Sequence, residues 1–220
     1  MNINNTILNE LSRIEKKYKV YIMYACESGS RAWRFESMDS DYDVRFIYVH
    51  QPGWYLSLFE RRDVIEETVP NKLLDISGWD IKKTLKLFCK SNPPLYEWLQ
   101  SPIVYRQDKE LVEKIKRLIP EYYDPVSAIY HYYHMANRNY RQYLLGEEVW
   151  VKKYFYVLRP VLACMWIENN LGPVPTEFNI LLDKIVNNKE LKMVIDDLVT
   201  LKKEVNELKR GTKIHSYCKR

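Results

Sequence analysis

At 220 residues, 46% of them hydrophobic and 29% charged, the chain has the balance of a soluble globular protein of one large or two small domains. A net charge of +5 and a pI near 8.8 permit an anionic partner such as a nucleotide or RNA without marking one. Cysteines at 26, 89, 164 and 218 show no C-x-x-C spacing and suggest neither a zinc cluster nor a disulfide framework. Met1 to Thr6 lacks the pattern of a secretory signal, and the apolar run Tyr154 to Ile167 is broken by Arg159 and Pro160, so a cytoplasmic protein without a membrane partner is expected.

The chain opens with a predicted helix carrying Ile7, Leu8, Leu11, Ile14 and Tyr18 on one face and lysines at its C-terminal end. Val20 to Ala25 is a continuous apolar run, expected as a strand buried on both faces. It leads to Gly29-Ser30, where a glycine lets backbone approach a phosphate and the serine with the following N–H groups can donate to it. Arg31 to Phe35 is predicted to begin a short helix.

Ten residues after the Gly-Ser pair, Asp41 and Asp43 alternate with Tyr42 and Val44 at the head of a predicted strand, so their carboxylates share a side. Two acids on one face can hold a divalent cation such as Mg²⁺, which prefers oxygen and keeps several waters. Two such ions about 3.5–4 Å apart can clamp the attacking and leaving oxygens of an in-line phosphoryl displacement. Taken alone, the acids and the Gly-Ser pair read equally well as a solvated turn leading into a strand.

Gly29-Ser30, ten residues and Asp41-Tyr42-Asp43 resemble the signature of the DNA polymerase β-like nucleotidyltransferase superfamily. GSRAW, DSDYDVRFIY, DISGWDIKK, SNPPLYEWLQSPIVY and KKYFYVLRP, in that order, resemble its bacterial branch of predicted nucleotidyltransferases linked to RNA repair. The likeness runs from about Glu27 to about Glu168, and related sequences carry a glycine where this chain has Arg34. Asp39 is expected to be exposed.

Further along, Pro52-Gly53 marks a turn, Val64 to Val69 a strand, Pro70-Asn71 a turn and Lys72 to Trp79 another strand. The resemblance implies a third acid on a neighbouring strand that completes the metal site and acts as base. Asp75 lies within the apolar strand, where burial without a metal would be costly, whereas Asp80 stands where a helix through Ile81, Leu85 and Phe88 needs an N-cap. Asp75 is therefore assigned to the metal and Asp80 to the cap. Lys83 matches a basic position of the resembled block and is a candidate phosphate contact, with a solvated basic face as the alternative. Glu97 reads either as support to the metals or as a surface acid beside Trp98.

From Leu111 onward the periodicity is helical, with a boundary expected between Pro102 and Lys109. The expected fold class is α+β: a small polymerase β-like α/β domain with a mixed sheet over 1–105, and an all-helical subdomain over 106–220 that binds nucleotide and acceptor. Lys152, Lys153, Tyr154 and Arg159 match the resembled block KKYFYVLRP, and a phosphate or a buried acid would account for the cation of Arg159 in its apolar run. His131 and His134 have a spacing compatible with a metal but no evident third ligand. Lys202, Lys203, Lys209, Arg210, Lys213, Lys219 and Arg220 make the tail basic.

The expectation is a nucleotidyltransferase that uses two Mg²⁺ ions, with Mn²⁺ as alternative, to move a nucleoside monophosphate from an NTP to an acceptor hydroxyl, foremost an RNA 3′ end. Asp41, Asp43 and Asp75 would be catalytic and hold metal; Gly29, Ser30, Arg31, Lys83, Lys152, Lys153, Tyr154 and Arg159 would contact the nucleotide. A protein or small-molecule hydroxyl, or a non-catalytic nucleotide- or RNA-binding module, are the alternatives.

Overall fold

The computed structural model describes residues 2–69, 74–146, 148–204 and 210–212. The turn expected at Pro70-Asn71, the first residues of the strand from Lys72, and Lys209, Lys213, Lys219 and Arg220 lie outside them. The chain forms two compact units, one of residues 1–32 and 41–124, the other of residues 33–40 and 125–220.

The first unit is built on a five-stranded mixed sheet in the order β3-β4-β2-β1-β5, formed by β1 (Val20–Glu27), β2 (Tyr42–His50), β3 (Val64–Val69), β4 (Leu74–Asp80) and β5 (Val104–Gln107). β2 and β4 run parallel, and every other neighbouring pair is antiparallel. Helix α1 (Ile3–Tyr18) covers one face. Its Ile7, Leu11 and Ile14, spaced for one helical stripe, are buried with Ile22, Ala25, Val44, Phe46 and Ile76. Each of the Ile, Leu, Val and Phe side chains among them contributes about 1.5–3 kcal/mol by leaving water.

The opposite face is covered by α4 (Ile81–Cys89), α5 (Pro93–Leu99) and α6 (Lys109–Arg117), whose Phe88, Leu95, Trp98, Val112 and Ile115 pack with Tyr24, Cys26 and Ile47. A bulge between Ile22 and Tyr24 breaks the alternation of β1: residues 24–27 are buried throughout, whereas Tyr21 is 57% exposed, so burial on both faces holds for only part of the run from Val20 to Ala25. Because α6 supplies Val112 and Ile115 to the same core as β1, the boundary expected at 105/106 falls inside this unit, which continues to Asp124.

Asp80 accepts the Lys82 N–H at 2.8 Å and caps α4, the role its position predicted. The short helix expected over Arg31 to Phe35 is instead α2 (Gly29–Ala32). The left-handed φ of +68° at Arg34 is incompatible with continued helix and is a conformation that suits glycine.

The second unit contains α8 (Pro125–Asn139), α9 (Val151–Glu168), α10 (Phe178–Ile185) and α11 (Lys189–Glu204), with a two-stranded ribbon of β6 (Glu148–Trp150) and β7 (Arg210–Thr212). Residues 33–40 belong to it through Phe35, which packs against Phe155 and Phe178 at centroid distances of 4.6 and 5.4 Å. Lys202 of α11 is buried and donates to Ser37 Oγ at 2.9 Å. Pro160 lies inside α9. Besides α2, the first unit has the four-residue helices α3 (Pro52–Tyr55) and α7 (Ile119–Tyr122). Among the described residues no helix is long and apolar enough to cross a membrane.

Candidate active site

Asp43 is the second residue of β2 and Asp75 the second of β4, and the parallel register sets them opposite one another. Neighbouring residues in a parallel ladder point to the same face, so the two carboxylates stand side by side. Arg45, two residues along the same face, bridges them: Nη2 donates to Asp43 Oδ1 at 2.9 Å and to Asp75 Oδ2 at 2.7 Å. The Asp75 side chain is 51% exposed, against 29% for Asp43. The burial argument for Asp75 therefore does not hold; its place in the cluster comes from register.

Gly29 presses against this cluster. Its φ is +60°, and a Cβ built on it would stand 2.1 Å from Asp43 Oδ2, so only glycine lets the loop come this close. The Ser28 N–H donates to the Asp43 carbonyl at 2.8 Å, stitching the loop to β2. Arg31 donates from Nε to the Asp41 carbonyl at 3.1 Å and lays its guanidinium 3.7 Å from the centre of the Tyr42 ring. Asp41 itself is exposed, one residue ahead of β2.

Three neighbours carry no role in the sequence reading. Glu27 ends β1 and is fully buried, accepting the Asp43 N–H on Oε1 at 2.7 Å and the Tyr105 hydroxyl on Oε2. Burial pushes its carboxyl up to about 7, against the opposing pull of those two hydrogen bonds. An acid closing a buried apolar strand was a readable signal for Glu27. The parts played by Tyr105 and Arg45 depend on strand pairing that no local pattern encodes.

Lys83 lies elsewhere in this unit. It follows the far end of β4, where it pairs with Asp63 at 3.0 Å. Five strand residues at about 3.3 Å each put Asp80 roughly 17 Å from Asp75. In the second unit, Lys153 Nζ sits 3.8 Å from the centre of the Tyr143 ring, and Lys152 and Tyr154 are half-buried in the first turn of α9. Arg159 is buried, donates to the Pro175 and Thr176 carbonyls at 3.3 and 3.4 Å, and stacks 4.7 Å over Trp33. Backbone carbonyls and an aromatic face thus meet the cation that the sequence paired with a phosphate or an acid.

No group of three or more His, Cys, Asp or Glu side chains able to hold a metal ion is gathered among the described residues. Asp43 and Asp75 nonetheless supply hard carboxylate oxygens on one face, a donor set that suits a Mg²⁺ ion whose other ligands are water and phosphate.

The profile of the RlaP family, the RNA repair pathway DNA polymerase beta family, matches residues 3–219. The chain belongs to that family. The RlaP chain is also 53% identical over 202 residues to YcgL of Bacillus subtilis (strain 168), itself an uncharacterized protein, covering 92% of this chain and 77% of YcgL. Among solved structures, it resembles a nucleotidyltransferase-like protein from Exiguobacterium sibiricum 255-15 at 9% identity and a TM-score of 0.35, over 87% of this chain and 64% of that one. That likeness is too distant to bear on the argument. RlaP membership associates the chain with polymerase β-like nucleotidyltransferases and with RNA repair.

Proposed function

We propose that the chain is a metal-dependent nucleotidyltransferase that moves a nucleoside monophosphate from an NTP to an acceptor hydroxyl, foremost on RNA. The observation that carries this reading is the in-register pair Asp43 and Asp75 with Gly29 packed against it. In the reaction, the acceptor oxygen attacks the α-phosphorus, the bond from that phosphorus to the bridging oxygen breaks, and pyrophosphate leaves. Asp43, Asp75 and the adjoining Asp41 would hold Mg²⁺, which when bound neutralises phosphate charge and favours the oxyanion of the attacking group.

The chain's own groups have distinct tasks. Asp75, the more exposed acid, takes the hydroxyl proton. Glu27 and the Ser28 amide fix the Asp43 backbone from both sides, which limits where its carboxylate can point. Ser30 and the N–H groups of the Gly29 turn face the phosphates, with Arg31 adding a cation beside them. In the second unit, Lys152, Lys153 and Tyr154 remain proposed nucleotide contacts.

One observation favours the rival reading of a non-catalytic nucleotide- or RNA-binding module: Arg45 already pairs with both acids. Incubation of the protein with each α-³²P-labelled NTP, Mg²⁺ or Mn²⁺ and total RNA, beside Asp43→Asn, separates the two. Label on RNA that Asp43→Asn cannot make is the expected result. Label on protein redirects the acceptor to a polypeptide hydroxyl. NTP binding insensitive to metal and to Asp43→Asn, with no transfer, overturns the catalytic reading.

A further inference from the structure

At the other end of the same sheet, a cavity of about 310 Å³ opens between α3, the segment 56–63 and the first turns of α4. Its floor is built from hydrogen bonds: Tyr55 Oη accepts the His50 N–H at 3.0 Å and donates to Asp80 at 2.8 Å. Asp80 is buried and held in turn by the α4 cap. Trp54 stacks on the His50 ring at 3.7 Å, and the Arg61 guanidinium lies 4.2 Å from the centre of the Trp54 ring. The place is therefore a formed hollow with one layered aromatic wall.

Its lining holds five cations, Arg61, Arg62, Lys82, Lys83 and Lys86, against three acids, Glu60, Asp63 and Asp80, an excess of two positive charges. Asp80 is already engaged by the cap and Tyr55, Asp63 by Lys83, and Arg62 by Glu66, which leaves Arg61, Lys82 and Lys86 as the cations free of an acid among the described residues. Phe59 is 84% exposed and its neighbours Leu56 and Leu58 are 82% and 98% exposed, an apolar stretch of the kind that marks an interaction site.

An exposed ring beside a row of cations suits single-stranded nucleic acid: a base stacks on Phe59 while phosphates lie against the cations, and Trp54, half-buried between His50 and Arg61, holds the wall in place. A lipid surface would suit a convex apolar face; here the exposed Leu58 and Phe59 lie among five cations and three acids that line a concavity. His50, the last residue of β2, is seven residues beyond Asp43, roughly 23 Å at about 3.3 Å per residue. A strand of several nucleotides spans that distance, so the two places can engage different parts of one acceptor.

We infer that the cavity formed by Trp54, Phe59, Arg61, Lys82 and Lys86 binds a single-stranded RNA segment, at a distance from the reacting end. The inference rests on the reading of RNA as acceptor, and it predicts binding that needs neither metal nor NTP.

The test is fluorescence anisotropy of a 5′-labelled 12-nucleotide single-stranded RNA with the full chain in EDTA. Lys82→Glu/Lys86→Glu is expected to weaken binding at least tenfold and flatten its salt dependence. Phe59→Ala, which removes a stacking face without changing charge, is expected to weaken it about fivefold or more. Lys109→Glu/Arg117→Glu, with the same charge change on α6, is expected to leave it within about twofold; circular dichroism confirms that each variant is folded.

Equal losses in both charge-reversal variants, or none in either, overturn the inference. So does a defect of Lys82→Glu/Lys86→Glu confined to phosphatidylserine vesicles. Because no metal or nucleotide is present, pocket-dependent RNA binding stands even if Asp43→Asn proves the chain to be a non-catalytic module.

Discussion

Arg45 reaches from β2 to Asp75 on β4, Nη2 lying 2.7 Å from Oδ2, while the same nitrogen holds Asp43 at 2.9 Å. A guanidinium thus stands where a cation shared by the two acids would bind, and a metal ion would have to compete with it. A unit charge about 4 Å away is worth about 1 kcal/mol in water and about 4 kcal/mol at an effective dielectric constant of about 20, and with Asp75 51% exposed the lower part of that range applies. Arg45→Met is therefore expected to tighten Mn²⁺ binding to the free protein on the order of tenfold, read by electron paramagnetic resonance or calorimetry. Asp43→Asn and Asp75→Asn should each abolish that binding. Unchanged Mn²⁺ affinity in Arg45→Met would show that the guanidinium does not compete.

Gly29 has no room for a side chain. Gly29→Ala sets a Cβ 2.1 Å from Asp43 Oδ2 on a backbone with φ of +60°. The left-handed conformation alone costs about 1–2 kcal/mol with a side chain present. Lower thermal stability and weakened Mn²⁺ binding are expected together, since relief of the clash must move the Asp43 carboxylate. A variant that keeps both properties would mean the loop can shift without disturbing β2.

Arg34 offers a change in the opposite direction. It holds φ of +68°, and its ion pair with Glu177 at 3.2 Å is between side chains 46% and 36% exposed. Such exposed pairs contribute little, whereas a glycine relieves the strained backbone. Arg34→Gly should raise stability by about 0.5–1 kcal/mol in denaturant unfolding. A loss of stability would assign the ion pair more weight than its exposure suggests.

Glu67 sets a pH dependence that is independent of the active site. It accepts hydrogen bonds from Lys17, from Tyr18 at 2.6 Å and from Arg13 at 3.1 Å. The Lys17 bond foremost, with help from the other two, holds its carboxyl down to about 2 from an ordinary 4.5. A depressed folded pKa stabilises above the unfolded value, and that stability is lost as pH falls from about 4.5 towards 2. Glu67→Gln should cost about 1 kcal/mol at pH 7 and progressively less as pH drops through this window, compared by urea unfolding. A pH-independent cost would instead point to lost packing.

The α1 stripe of Ile7, Leu11 and Ile14, the strand leading to the Gly-Ser pair and the Asp80 cap were legible because each follows from spacing along a few residues. So was the candidate chemistry: two acids at a period of two and a Gly-Ser pair ahead of them are local patterns, and the family resemblance rests on the same strings. Asp75 was reached through that resemblance and through a burial argument that its exposure removes.

What local pattern could not supply was which strands lie side by side. The parallel register that sets Asp75 opposite Asp43, the bridging Arg45, the Tyr105 hydroxyl on Glu27 and the separation of Lys83 from the acids all depend on non-local pairing. Likewise, residues 33–40 join the second unit because Phe35 is buried against Phe155 and Phe178, far along the chain. Sequence by itself determined the periods, caps and turn residues, which act over one or two turns of backbone. Tertiary structure alone decided register and partners, because these follow from the burial of whole sheet faces, and a slip of one residue would turn every side chain of a strand to the other face.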